Sequence, residues 1–151
     1  MRLEITFEND DEKRKRRILA TLSNDRLLSI VYAVIYKFQP CTITEITNKV
    51  HEIEMKNYAR ATIFEKANTL VSFGLVNVRD LFSVSNYNDD ISKKIKNKAE
   101  SLLKKFENNP VMQNKIKTTY FYFIPEKLLE KTAEFLIWAC QKHGIKYRVI
   151  E

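Results

Sequence analysis

Between Arg26 and Pro40, Leu27, Leu28, Val31, Val34, Ile35 and Phe38 recur every three or four residues. That spacing draws a broad apolar stripe down one helix, and a stripe of that width belongs to buried scaffold. Upstream, Asn9, Asp10 and Asp11 offer caps for a basic helix that carries Ile18, Leu19 and Leu22 on one face. Ahead of it, Leu3, Ile5 and Phe7 alternate with Glu4 and Thr6, the pattern of a short strand over Arg2–Phe7 with one buried side. Ser23 and Asn24 separate the two helices, and Pro40 closes the second. After an extended piece over 41–43, Thr44 is placed to cap a helix through Val50, with Ile46 and Val50 inward. The stretch 51–56 has no period and reads as a connection. Asn57 is the expected cap of the next helix, which reaches Phe73 with Ile63, Ala67 and Leu70 on its inner face. Gly74 follows at once, where a left-handed residue ends a helix.

The second half alternates types. Residues 75–84 are rich in Val, Leu and Phe and predict one or two short strands, with no Gly or Asn-Gly pair to mark a turn between them. A polar loop over 86–90 leads into a lysine-rich helix over 91–106, stopped by Asn108, Asn109 and Pro110. Residues 118–124 predict a strand, Pro125 opens a helix that Gly144 ends, and 145–150 predict a closing strand. The expected fold class is α+β in three stretches. These are a strand and basic helix over 1–24, a central helical module with strands over 25–90, and a helix followed by strand-helix-strand over 91–151.

Charge narrows the class of partner. Lys and Arg number 26 against 19 Asp and Glu, a formal net charge of +7. Such an excess concentrates polyanions near the protein without distinguishing DNA, RNA or an acidic membrane surface. Cys41 and Cys140 lack metal spacing and read as reduced, partly buried thiols. The basic N-terminal run is not followed by a signal-type apolar stretch, and the run from Leu27 to Phe38 is too short to cross a bilayer. A cytoplasmic protein without a membrane partner is therefore expected. His51 and His143 have no neighbours at metal or triad spacing, and glycines only at 74 and 144 leave no phosphate cradle. Adjacent Asp89 and Asp90 read as the capping end of a helix. No enzyme activity, cofactor or metal is expected.

The central module also carries a resemblance. TITEITNKV (Thr42–Val50) and FEKANTLVSFGLVNV (Phe64–Val78) stand in the order helix, extended piece, helix, turn, helix, strands between Leu27 and Val84. This resembles the winged helix-turn-helix families of small prokaryotic regulators, above all the MarR-like and ArsR-like groups. The resemblance implies sequence-specific binding of double-stranded DNA and a role in transcription regulation, with the helix before Gly74 as the reading helix. Its exposed side would carry Asn57, Tyr58, Arg60, Ala61, Thr62, Glu65 and Lys66. Arg60 would address guanine, Asn57 adenine, and Ala61 or Thr62 a thymine methyl. Thr44, Lys56 and Lys66 would meet phosphates, and Arg79 would sit in the wing.

Alternatives stand beside each assignment. Helix-turn-helix modules also serve as assembly modules in larger complexes or in plasmid and viral DNA maintenance. Phe64 and Tyr58 are stacking platforms for single strands or, more simply, core or interface residues. Lys13, Arg14, Lys15, Arg16 and Arg17 track a phosphate backbone or form the solvated side of a helix. Aromatic residues on both sides of the 118–124 strand predict a homodimer held together outside the central module, or else an intramolecular core.

Overall fold

The computed structural model describes residues 1–150. Four helices come first: α1 (Asp10–Asn24), α2 (Arg26–Phe38), α3 (Ile43–Glu54) and α4 (Arg60–Ser72). Three of the four starts carry a side-chain cap. Asn9 Oδ1 accepts the Glu12 amide at 2.8 Å, and Asp25 Oδ1 accepts the Leu28 amide at 2.9 Å. At α3 the cap is Thr42, two residues before the expected Thr44. Its hydroxyl accepts the Glu45 amide, while the Glu45 carboxylate accepts the Thr42 amide, the reciprocal arrangement that satisfies two otherwise free donors. Helix α4 starts at Arg60 behind Ala59, not at Asn57, and has no side-chain cap. The α3–α4 turn is held by His51 instead, whose Nε2 accepts the Tyr58 amide at 2.9 Å.

Strand β1 (Asn77–Arg79) pairs antiparallel with β2 (Phe121–Phe123), in the register Val78 opposite Tyr122. On the other edge of β2, Tyr122 exchanges both backbone hydrogen bonds with Cys41, at 2.8 and 3.0 Å. The small sheet thus runs Cys41, β2, β1. Only one strand forms in 75–84. Asp80 and Ser83 cap each other reciprocally and turn the chain into a short helix, α5 (Leu81–Val84). Two longer helices follow before the chain returns to the sheet: α6 (Asp90–Lys105), capped by Asp89, and α7 (Pro110–Lys117), capped by Asn109. After β2, a 3-10 turn leads into α8 (Leu129–His143), which Gly144 ends at φ 65°.

Strand β2 is apolar on both faces because it divides two cores. Tyr122 and Ile124 join the larger cluster, which α1, α2, α3, α4 and α8 fill with Leu22, Ile35, Ile46, Ile63, Leu70 and Phe135 among others. Phe121 and Phe123 join a smaller one with Val84, Ile95, Ala99 and Ile116. The second face of β2 is therefore covered by α5, α6 and α7 of the same chain, and the aromatic strand needs no partner subunit.

The two terminal strands do not form. Leu3, Ile5 and Phe7 are 80%, 65% and 84% exposed, and residues 1–8 have no regular structure. Residues 145–150 are likewise irregular, with Ile145 alone packed on the core, and Glu151 lies outside the described residues. A strand requires a neighbour; β2 is flanked by β1 and by Cys41, and among the described residues neither terminal segment pairs with the outer edge of β1. The C-terminal strand-helix-strand is accordingly a strand and a helix. The α+β class stands, mostly helical with a two-stranded sheet. No single helix in the described residues is long and apolar enough to cross a membrane.

Candidate nucleic-acid interface

Helix α4 buries Ile63, Ala67 and Leu70 against the larger core and leaves Arg60, Ala61, Phe64 and Glu65 exposed on its first two turns. There Arg60, Ala61 and Phe64 line one wall of a cleft of about 1150 Å³. The opposite wall comes from the segment between β1 and β2: Lys98 and Leu102 on α6, Lys115 and Ile116 on α7, and Tyr120 just before β2. Thr44 and Glu45, at the start of α3, complete the floor. Lys98 fastens its wall to the floor, because its Nζ donates to the Pro40 carbonyl and to Glu45 Oε2 at 2.8 Å. Arg60 and Lys115 form no ion pair within the described residues. Without a side-chain cap, the first amides of α4 also leave the positive end of its dipole beside Arg60.

Charge is concentrated in the segment that supplies that wall, although of its lysines only Lys98 and Lys115 line the cleft. Residues 90–117 hold eight lysines against three acidic residues, five of the chain's net +7. Most of these lysines are exposed on α6 and α7.

The expected contacts separate into groups. Arg60, Ala61 and Thr44 are exposed at the cleft, and Asn57 and Lys56 are exposed in the turn that precedes α4. Thr62 is half-buried. Tyr58 packs partly on the larger core with Lys56 Nζ 5.1 Å from its ring centre, while Phe64 is 47% exposed. Lys66 turns away from the cleft and pairs with Asp25 Oδ2 at 2.7 Å, tying α4 to the cap of α2, so it is committed rather than free for a phosphate.

Arg79 is likewise committed. Its guanidinium lies 3.7 Å from the Tyr87 ring centre and 4.7 Å from that of Phe123. Nη1 donates to both carboxylate oxygens of Asp89 and to Ser92 Oγ, each within 2.9 Å. With the side chain only 13% exposed, Arg79 joins β1 to the cap of α6. The hydrogen bond from Ser92, and then Arg79, holds the Asp89 carboxyl down at about 2.

The basic run of α1 lies at the far end of α4. Arg14 donates to the Phe73 carbonyl and the Arg17 guanidinium lies 6.0 Å from the Phe73 ring centre, so cations gather at the helix C-terminus. Arg16 pairs with Glu8. Lys13 and Arg14 line a shallow surface hollow beside Gly74. With α4 about 20 Å long, this patch and Arg60 address different surfaces.

Sequence reasoning missed Lys98 and Lys115. Their density was visible, but their position opposite α4 depends on β1 pairing with β2 across the whole insertion. Burial pushes the Cys41 thiol up to about 12, helped by the nearby Glu45 charge, and burial also raises Cys140, so both stay protonated. No cluster of metal-ligating side chains occurs among the described residues. The chain matches no protein-family description, no curated protein and no solved structure.

Proposed function

We propose that this protein binds double-stranded DNA through a winged helix-turn-helix module in which a lysine-rich helical insertion replaces the wing tip, and that it regulates transcription by occupying its site. The observation that carries the reading is the sheet order Cys41, β2, β1, with β2 packed on α2 and with α2, α3 and α4 packed on one another. In that arrangement β1 and β2 are the two wing strands and the insertion stands where a wing would flank the reading helix. Arg60 and Ala61 face base edges from the start of α4. Lys115 and the exposed lysines of α6 hold the phosphates on the flank.

Selection of genomic duplex fragments by the purified protein, followed by footprinting, tests this. A defined site should be recovered. On it Arg60→Ala should lose about 1–3 kcal/mol and flatten discrimination at one base pair. Recovery of no preferred duplex, or equal loss on specific and unrelated DNA, would remove the base-reading role.

The apolar lining of the cleft, with Phe64, Leu102, Ile116 and Tyr120, favours a second reading as an assembly module that takes an apolar segment of a protein partner. Under that reading Phe64→Ala abolishes partner capture, and duplex affinity is weak in the parent protein.

A further inference from the structure

The terminal segments are two irregular pieces with strand alternation in sequence and no strand partner. They are exposed apart from Ile145, which packs partly on the core, and the Tyr147 hydroxyl accepts from Gln141 Nε2 at 2.9 Å. Residues 2–8 read RLEITFE and residues 145–150 read IKYRVI. The polar positions of the first include Glu4 and Glu8, and those of the second are Lys146 and Arg148. Aligned antiparallel with Ile5 opposite Tyr147, they place Leu3 opposite Val149, Phe7 opposite Ile145 and Glu4 opposite Arg148. Leu3, Ile5, Phe7, Ile145, Tyr147 and Val149 then fall on one face, while on the other Glu4 meets Arg148, Thr6 meets Lys146 and Arg2 meets Ile150. The apolar face and the one opposite-charge pair are of the kind that stabilises adjacent strands.

One chain cannot make this ladder. Asn9 caps the start of α1, which holds Phe7 at that end. His143 Nε2 lies 2.6 Å from the Leu22 carbonyl and Arg26 donates to the His143 carbonyl, which holds Ile145 at the other end. A helix of 15 residues keeps the two about 22 Å apart. Two copies with their α1 helices antiparallel across a two-fold axis bring each start of α1 beside its neighbour's end.

We propose that this protein is a homodimer in which residues 2–7 of each copy pair antiparallel with residues 145–150 of the other. Two identical ladders then form, as isologous contact requires. On this side of the molecule an open depression of about 450 Å³ is lined by Leu19 and Ala20 of α1 and Trp138 of α8 together with four charged residues of the N-terminal segment and α1, and in the dimer it would lie against the ladders. The cleft beside α4 plays no part in the contact.

Sedimentation equilibrium of the full chain without DNA should give twice 17.9 kDa at tens of micromolar. Glu4→Arg or Arg148→Glu alone should weaken the dimer about tenfold, since each change sets like charges opposite in two ladders, and the double exchange should restore it. Oxidised Ile5→Cys/Tyr147→Cys protein should run as a cross-linked pair of chains. A monomer throughout that range, a cross-link within one chain, or a double exchange that fails to restore association would overturn the proposal. None of these measurements uses DNA, so the dimer and the duplex reading fail separately.

Discussion

Replacing Arg79 with Met separates a structural from a DNA-binding role for this side chain. Met keeps much of the apolar stem between Tyr87 and Phe123 but removes the guanidinium. Two ring contacts at 3.7 and 4.7 Å contribute about 0.5–1 kcal/mol each. The hydrogen bond to the buried Ser92 hydroxyl adds about 1 kcal/mol. The Asp89 carboxylate is half-exposed, so solvent screening reduces that pair to a few tenths of a kcal/mol. Arg79→Met should therefore cost about 2–3 kcal/mol in urea unfolding at neutral pH. The loss also has a pH dependence. Asp89 titrates near 2 when folded and near 4 when unfolded, so its stabilisation is complete above about pH 4 and is lost as pH falls through the folded value. The gap between parent and variant should narrow over that interval. A stability loss under about 0.5 kcal/mol combined with weaker binding to all duplexes would refute the argument and return Arg79 to the phosphates.

Two further changes probe the backbone. Gly74 has φ 73°, and a methyl there would lie 2.8 Å from Arg14 Nη2, so Gly74→Ala should lower stability by about 1–2 kcal/mol in thermal unfolding; an unchanged midpoint would contradict the left-handed turn. Met55 ends α3 at φ 53° with its side chain 89% exposed, so Met55→Gly should raise stability by about 0.5–1 kcal/mol in the same assay, and a loss would show that the Met side chain contributes contacts here.

Helices α2 and α4 were legible because their apolar positions keep one period from end to end, and Gly74 and Gly144 marked helix ends at the residues with positive φ. Strand β2 was legible as apolar on both sides, but what covers its second side was not. That depends on β1 pairing across the whole of α5, α6 and α7, which local pattern does not encode. LFSV reads as strand by composition, and the Asp80–Ser83 capping box overrides it. The terminal alternation was real as a pattern without a partner in the chain to realise it. Arg60, Ala61 and Thr44, expected on exposed parts of their helices, do line the cleft. Lys66 and Arg79 were assigned outward because their acidic partners, Asp25 and Asp89, belong to the starts of other helices. A cation's availability depends on such tertiary neighbours more than on its own position.

Titration of a labelled duplex by fluorescence anisotropy at several salt concentrations tests the central claim most directly. If α4 and the lysines of α6 and α7 close on DNA, log K should fall linearly with log salt, with a slope of about −0.9 for each phosphate neutralised. Lys115→Ala should reduce that slope by about one and weaken specific and unrelated duplexes alike. A duplex affinity that is absent at low salt, or a slope untouched by Lys115→Ala and by parallel changes at Lys93, Lys94 and Lys104, would contradict the account.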